Sequence, residues 1–162
     1  MNHLIDREKT PGGGAVRLVN YILKTKGNHV WSTTLDASVF DAIKLMSEKH
    51  IGALPVLESG KLVGIVSERD YTTKVILKGR SSNNTAVKVI MTAPVIYTTP
   101  DEPIERCMAL MTTKRIRHLP VLEEGQMIGI ISIGDLVKAT IADQETWIRE
   151  LEKHVLTTSS IV

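Results

Sequence analysis

Ser67 and Asp70, and again Ser132 and Asp135, place a hydroxyl and a carboxylate three residues apart. Each pair closes an apolar run of strand character, KLVGIVS or QMIGIIS, and opens a helical pattern. A strand that ends in Ser and enters a helix leaves unpaired backbone N–H groups, which favour anionic oxygens. An ionised carboxylate only accepts hydrogen bonds, so an Asp in the first turn can take both hydroxyls of a ribose. The same spacing is also a helix capping box that needs no ligand, and spacing alone favours that reading. The two readings are compatible.

A second cluster, Lys114, Arg115, Arg117 and His118, stands just ahead of the apolar run LPVLE. An Arg fork donates two parallel charged hydrogen bonds and so suits phosphate. The competing reading is a helix C-terminus, where cations meet the negative end of the dipole. That accounts for Lys114 and Arg115, but less well for Arg117 and His118, which abut a strand expected to be buried. A third candidate is the small loop of Arg80, Ser81 and Ser82, which can hold an anion with its guanidinium, hydroxyls and backbone N–H groups. Loops of this composition are more often plain connectors. PGGG (11–14) lacks the Lys-Ser/Thr sequel and preceding strand of a phosphate loop. His3, His29, His50 and His154 have no metal-ligand spacing, and Cys107 falls on an apolar helix face. No nucleophile–base pair or paired catalytic carboxylates appear, so no metal or catalytic residue is assigned.

What must position these groups is a repeat. Residues 33–76 align with 98–141 without a gap, sharing LPVLE entire and matching Thr33 to Thr98, Gly64 to Gly129, Ser67 to Ser132 and Asp70 to Asp135. In each copy Asp36 or Asp101 can cap a helix whose apolar face is Val39, Ala42, Ile43, Met46 or Ile104, Cys107, Met108, Met111. A two-strand hairpin follows, turning at Ser59-Gly60 or Glu124-Gly125, and a second helix starts near Asp70 or Asp135. Each unit therefore reads β-α-β-β-α, an α/β (α+β) class. The expected organisation is a flexible tail over 1–14, a first unit with its leading helix over 15–78, a connector over 79–85 and a second unit over 86–142. A further helix and tail over 143–162 is marked by Trp147, Ile148 and Leu151.

Composition narrows the function classes. At 162 residues, 43% hydrophobic and 23% charged, the chain is ordinary globular material. Net charge of +2 with 4% aromatic residues argues against nucleic acid. No apolar run approaches the roughly 18 residues of a membrane span. One cysteine and an N-terminus without an apolar signal core point to the cytoplasm.

The pattern LPVLE-x-G-x-hhGhhS-x-x-D (h, apolar), occurring twice in register with the lead-in VIMT, resembles a pair of CBS domains, the tandem regulatory unit called a Bateman module. The resemblance spans roughly residues 16–142, and SERDY, KGRSS, RIRHLPV and SIGDLV are similar to small stand-alone CBS-pair proteins of bacteria and plant organelles. It implies two CBS units packed with pseudo-two-fold symmetry, clefts between them that take adenine nucleotides, and dimerisation. It further implies that Asp70 and Asp135 hold ribose, that Ser67 and Ser132 sit near ribose or phosphate, and that Arg117 and His118 reach phosphate. The function so implied is a non-enzymatic sensor of AMP or NAD(H), with ADP, ATP and S-adenosylmethionine as alternatives, whose change of shape an unidentified protein effector reads. A protein-interaction module with vestigial clefts, redox-linked as in some plant relatives, is the alternative; an enzyme comes third. Homodimerisation is expected through the Val39 and Ile104 helix faces.

Overall fold

The computed structural model describes residues 16–158. The expected tail over 1–14 lies outside them. The architecture is mixed α/β, and in chain order its elements are α1 (Val19–Lys26), β1 (Thr33–Thr34), α2 (Val39–Lys49), β2 (Ala53–Glu58), β3 (Lys61–Ser67) and α3 (Glu68–Lys74). A 3-10 turn (Ile76–Lys78) precedes α4 (Val87–Ile90), α5 (Ile104–Lys114), β4 (His118–Glu123), β5 (Gln126–Ser132) and α6 (Ile133–Thr158). Each repeat thus delivers its two strands and flanking helices.

The hairpins follow from their turn residues. Ser59 and Gly60 have φ of 50° and 78°, and Glu124 and Gly125 have 48° and 76°. Two successive positive φ values give a turn whose twist matches that of paired strands, and Gly takes the second position without a Cβ clash. Strand β2 runs antiparallel to β3, with Ala53 opposite Ser67 and Val56 opposite Gly64. The short β1 is parallel to β2, and Thr98 repeats its pairing as a bridge to Val121. A Cβ at Gly64 would collide with the Met91 side chain, because Met91–Thr92 crosses β3 there and Thr92 exchanges hydrogen bonds with Ile65.

Helix starts depart from expectation. Asp36 and Asp101 do not cap: α2 is capped by Ser38, whose hydroxyl accepts from Asp41 N–H, and α5 begins after Pro103. Pro103 is itself the N-cap, in extended backbone with no side-chain cap hydrogen bond, and Asp36 instead pairs with Lys88 at 2.6 Å. Helix ends match between copies. His50 and Arg115 both adopt left-handed backbone at the C-cap, each returning its N–H to the final turn.

Two compact units emerge. One comprises Asn28–Thr98 and Pro120–Ile130, and its core gathers Val39, Ala42, Met46, Leu54, Val56, Val66, Val75, Val87 and Ile90. The other holds Thr99–Leu119 with the described parts of Met1–Gly27 and Ile131–Val162, and there α1 and α5 both pack on α6. Although α1 precedes the first repeat, Val19 N–H donates to Glu102 C=O and Ile104 N–H to Arg17 C=O, tying it to the second.

Two expectations are corrected. The Val39 and Ile104 faces are not left open for a partner: these residues are 0% and 3% exposed, covered by the chain itself. Nor does a separate helix begin after Ala142. Helix α6 runs 26 residues unbroken, since no Gly or Pro interrupts 135–158, whereas α3 stops after seven residues and the chain turns at Gly79 (φ 64°).

Candidate functional site

In the first repeat the Ser-x-x-Asp motif is a complete capping box. Ser67 N–H and Ser67 Oγ both donate to Asp70 Oδ2 at 2.9 Å, and Asp70 N–H returns to Ser67 Oγ at 3.3 Å. The other carboxylate oxygen, Oδ1, pairs with Lys74 Nζ at 2.7 Å, one helical turn on. Lys74 also donates to Ile90 C=O at 2.8 Å, which fixes the ammonium over the site. Asp70 is buried. Its charge is met locally, by Ser67 three residues before it and Lys74 four residues after it.

The loop after it is also occupied by its own chain. Arg80 Nη1 donates to Lys74 C=O at 3.0 Å and so closes the end of α3. Ser82 Oγ lies 3.2 Å from Tyr71 Oη, and its carbonyl accepts from Phe40 N–H. The carbonyl of Ser81 accepts from Thr85 Oγ1 at 2.7 Å. These bonds hold the connector against α2 and α3.

The second repeat keeps the backbone design and changes its surroundings. Ser132 N–H donates to Asp135 Oδ2 at 2.8 Å and Asp135 N–H to Ser132 Oγ at 3.2 Å, the same reciprocal cap. Arg117 C=O accepts from Ile133 N–H at 2.9 Å, as Gly52 C=O does from Glu68 N–H at 3.1 Å. The backbone of residue 117 thereby anchors the start of α6 whatever side chain it carries. The lysine of the first site is missing, because Ala139 stands where Lys74 would repeat. Its place is taken by Lys26, from the last turn of α1, whose Nζ reaches Asp135 Oδ2 at 2.7 Å.

Arg117, His118, Ser132, Asp135 and Lys26 therefore converge at the N-terminus of α6. Burial, the largest single influence on Asp135, raises its pKa, but the Lys26 ammonium and the Ser132 hydrogen bonds together hold the carboxyl below its ordinary value. His118 opens β4 and is half-buried; burial lowers its pKa first, the positive Lys26 and Arg117 add to this, and Asp135 opposes. Arg117 is exposed. A carboxylate acceptor beside an ammonium, with an imidazole and an exposed guanidinium at the entry to β4, can receive a ligand that offers hydroxyl donors at one point and negative oxygens at another.

Sequence reasoning missed both lysines. Lys74 was findable, since an Asp–Lys pair at i,i+4 is a standard helix-surface contact. Lys26 lies 109 residues from its partner, and only its place in the last turn of a predicted helix marked it. Among the described residues no group of three or more His, Cys, Asp or Glu could hold a metal ion. Cys107 is buried on the packed face of α5. No described helix is long and apolar enough to cross a membrane.

Comparison with known proteins agrees with the repeat. A family model, described as CBS domain, matches residues 28–76 and 87–142. The chain is 40% identical over 147 residues, 85% of its length and 71% of the relative's, to the mitochondrial CBS domain-containing protein CBSX3 of Arabidopsis thaliana. It superposes with TM-score 0.77 and 54% identity on a putative signal-transduction protein with CBS domains from Burkholderia ambifaria, covering 79% of this chain and 96% of that one. The CBS domain pair of protein MJ0100, solved in complex with 5′-methylthioadenosine and S-adenosyl-L-methionine, matches with TM-score 0.67 and 25% identity over 78% of this chain and 98% of that one.

Proposed function

This chain belongs to the CBS domain family as a tandem pair, and on that premise we propose that it is a non-enzymatic regulatory protein that binds an adenine nucleotide, AMP or NAD(H). The observation that carries the reading is the cluster at the start of α6: an Asp135 carboxylate for ribose hydroxyls beside Lys26, Arg117 and His118 for phosphate. A solved pair of the same family holding two adenosine derivatives supports the ligand class. Asp70, covered by Lys74, is the secondary ribose site.

Ribose hydroxyls on Asp135 would share a carboxylate that Lys26 already engages through Oδ2, so the ligand and the last turn of α1 draw on one charge. A ligand that prefers one arrangement of α1 shifts the population toward it, and a protein effector reads the shift. The active species is a homodimer, and its compartment is the cytoplasm; fractionation of the native cells checks the latter, since the plant relative is named as mitochondrial. The alternative, an interaction module with vestigial sites, draws on Asp70, which its own chain already satisfies.

Mass spectrometry of small molecules released from the natively purified protein, followed by calorimetric titration of each one found, tests the reading. Recovery of an adenine nucleotide that rebinds wild type and binds Asp135→Ala about ten- to a hundredfold more weakly supports it. An empty protein that binds neither AMP nor NADH at millimolar concentration overturns it in favour of the interaction module.

A further inference from the structure

The exposed apolar surface of the chain is not scattered. Along α6, Val137, Ile141, Gln144, Ile148, Leu151 and Val155 are spaced alternately four and three residues apart. Apolar residues recurring every 3.5 positions form the narrow seam of a two-helix coiled coil. The five apolar members are 44–65% exposed, whereas Leu136 and Ala139, on another side of the helix, are buried. Every residue from 144 to 156 is exposed. A helical arm of this length is marginal in water without tertiary packing.

From this seam we infer that the C-terminal arm of α6 is a self-association surface that pairs antiparallel with α6 of a second copy of this chain. An antiparallel pair centred near Thr146 sets Ile141 of one copy against Leu151 of the other, Gln144 against Ile148, and Val137 against Val155. Every layer then contains at least one apolar side chain. On the flank, Lys138 of one copy meets the oppositely charged Glu152 of the other, twice by symmetry. The like-charged Glu145 residues near the axis each have Arg149 one turn on. A parallel pair would instead set Thr140 against Glu145 and Trp147 against Glu152, with no opposite charges to hold it. Gln144 in the seam weakens the pair but specifies its register, as a lone polar core residue does. An anionic membrane surface is the poorer occupant, because residues 143–156 carry Asp143, Glu145, Glu150 and Glu152 against only Arg149 and Lys153.

The inference names the surface for the homodimer proposed above and is otherwise independent of nucleotide binding. Sedimentation of the full chain tests it. Wild type sediments as a dimer at micromolar concentration, and Ile148→Glu/Leu151→Glu weakens the dimer by at least about a hundredfold. Lys153→Glu, on the far side of α6, leaves it intact. The seam variant keeps its AMP affinity, which separates this outcome from failure of the nucleotide reading. Mixing Ile141→Cys and Leu151→Cys chains under oxidation yields the mixed disulfide; native Cys107 is buried and does not contribute. A monomeric wild type, a seam variant that stays dimeric, or Ile141→Cys cross-linking to itself overturns the inference.

Discussion

The two Ser-x-x-Asp sites share one backbone and differ in who neutralises the aspartate. In the first, Lys74 comes from the same helix, one turn away, and holds Asp70 through a contact that forms with the helix itself. In the second, Lys26 comes from a helix 109 residues distant, and Arg117 and His118 replace Gly52 and Ala53 beside it. A local partner is always present once the helix exists, so Asp70 is held in its cap by its own helix whether or not a ligand is bound. A distant partner can leave without unwinding the helix it neutralises, and the proposed exchange of Lys26 for a ligand rests on that difference. Repetition preserved the scaffold, and divergence of a few side chains changed what surrounds its aspartate.

The largest effects should be those the copies share. Met46 and Met111 occupy equivalent positions and are each 1% exposed. Met46→Ala and Met111→Ala should each cost about 2–5 kcal/mol of stability. Denaturant melts giving values more than twofold apart would show that the cores are not equivalent.

Ligand affinity should then separate the copies. Asp135→Ala removes charge-assisted bonds to ribose worth roughly 1.5–3 kcal/mol, a loss of about ten- to a hundredfold for adenosine and AMP alike. Asp70→Ala should lower stability through the lost cap by about 0.5–2 kcal/mol, read as a lower melting temperature, with a smaller change in affinity for the tightest site. Calorimetry and thermal melts on both variants check this, and the reverse ordering would assign the responsive role to the first copy.

Arg117→Ala should weaken AMP by about tenfold and leave adenosine unchanged, because only a phosphate uses the guanidinium. Equal losses for both ligands would make Arg117 a structural residue. Lys26→Ala should tighten adenosine by a few fold, since its ribose no longer competes with an ammonium, while stability falls only about 0.2–1 kcal/mol for a partly exposed ion pair. Lys74→Ala should not tighten adenosine binding.

The smallest effect is on pH dependence. His118 has a folded pKa below its ordinary value, so the unfolded chain binds a proton that the folded chain resists. Stability should therefore fall as pH drops below 6.5, and His118→Gln should flatten that slope between pH 7.5 and 5.5. Asp135, held below its ordinary value, contributes stability above its unfolded pKa near 3.8 that is lost as pH falls through the lower folded value. Thermal melts across the range read both.

Much of this was legible in the residues because it is local. Alternating apolar runs, Ser-Gly and Glu-Gly turns and the Ser-x-x-Asp caps depend on neighbours within a few positions, and these elements stand where the repeat put them. Misreadings arose where two local signals competed: Asp36 could cap, but Ser38 lies closer to the first helical residue and does. The extent of α6 was misjudged for a related reason. A second apolar pattern after Ala142 read as a new helix, although nothing between the two breaks the first.

Sequence by itself determined the duplicated β-α-β-β-α plan, the two capped aspartates and the asymmetry of Arg117 and His118 against Gly52 and Ala53, since each is written within one stretch of chain. Only the tertiary structure decided which cation meets which aspartate, that Val39 and Ile104 are covered, and that α1 is hydrogen-bonded to the second repeat and not to the one it precedes. The physical reason is range. Caps and turns are set by dihedral preferences and hydrogen bonds a few residues long, whereas the approach of Lys26 to Asp135 depends on the burial of Val19, Ile22, Leu136 and Ala139, where α1 packs on α6.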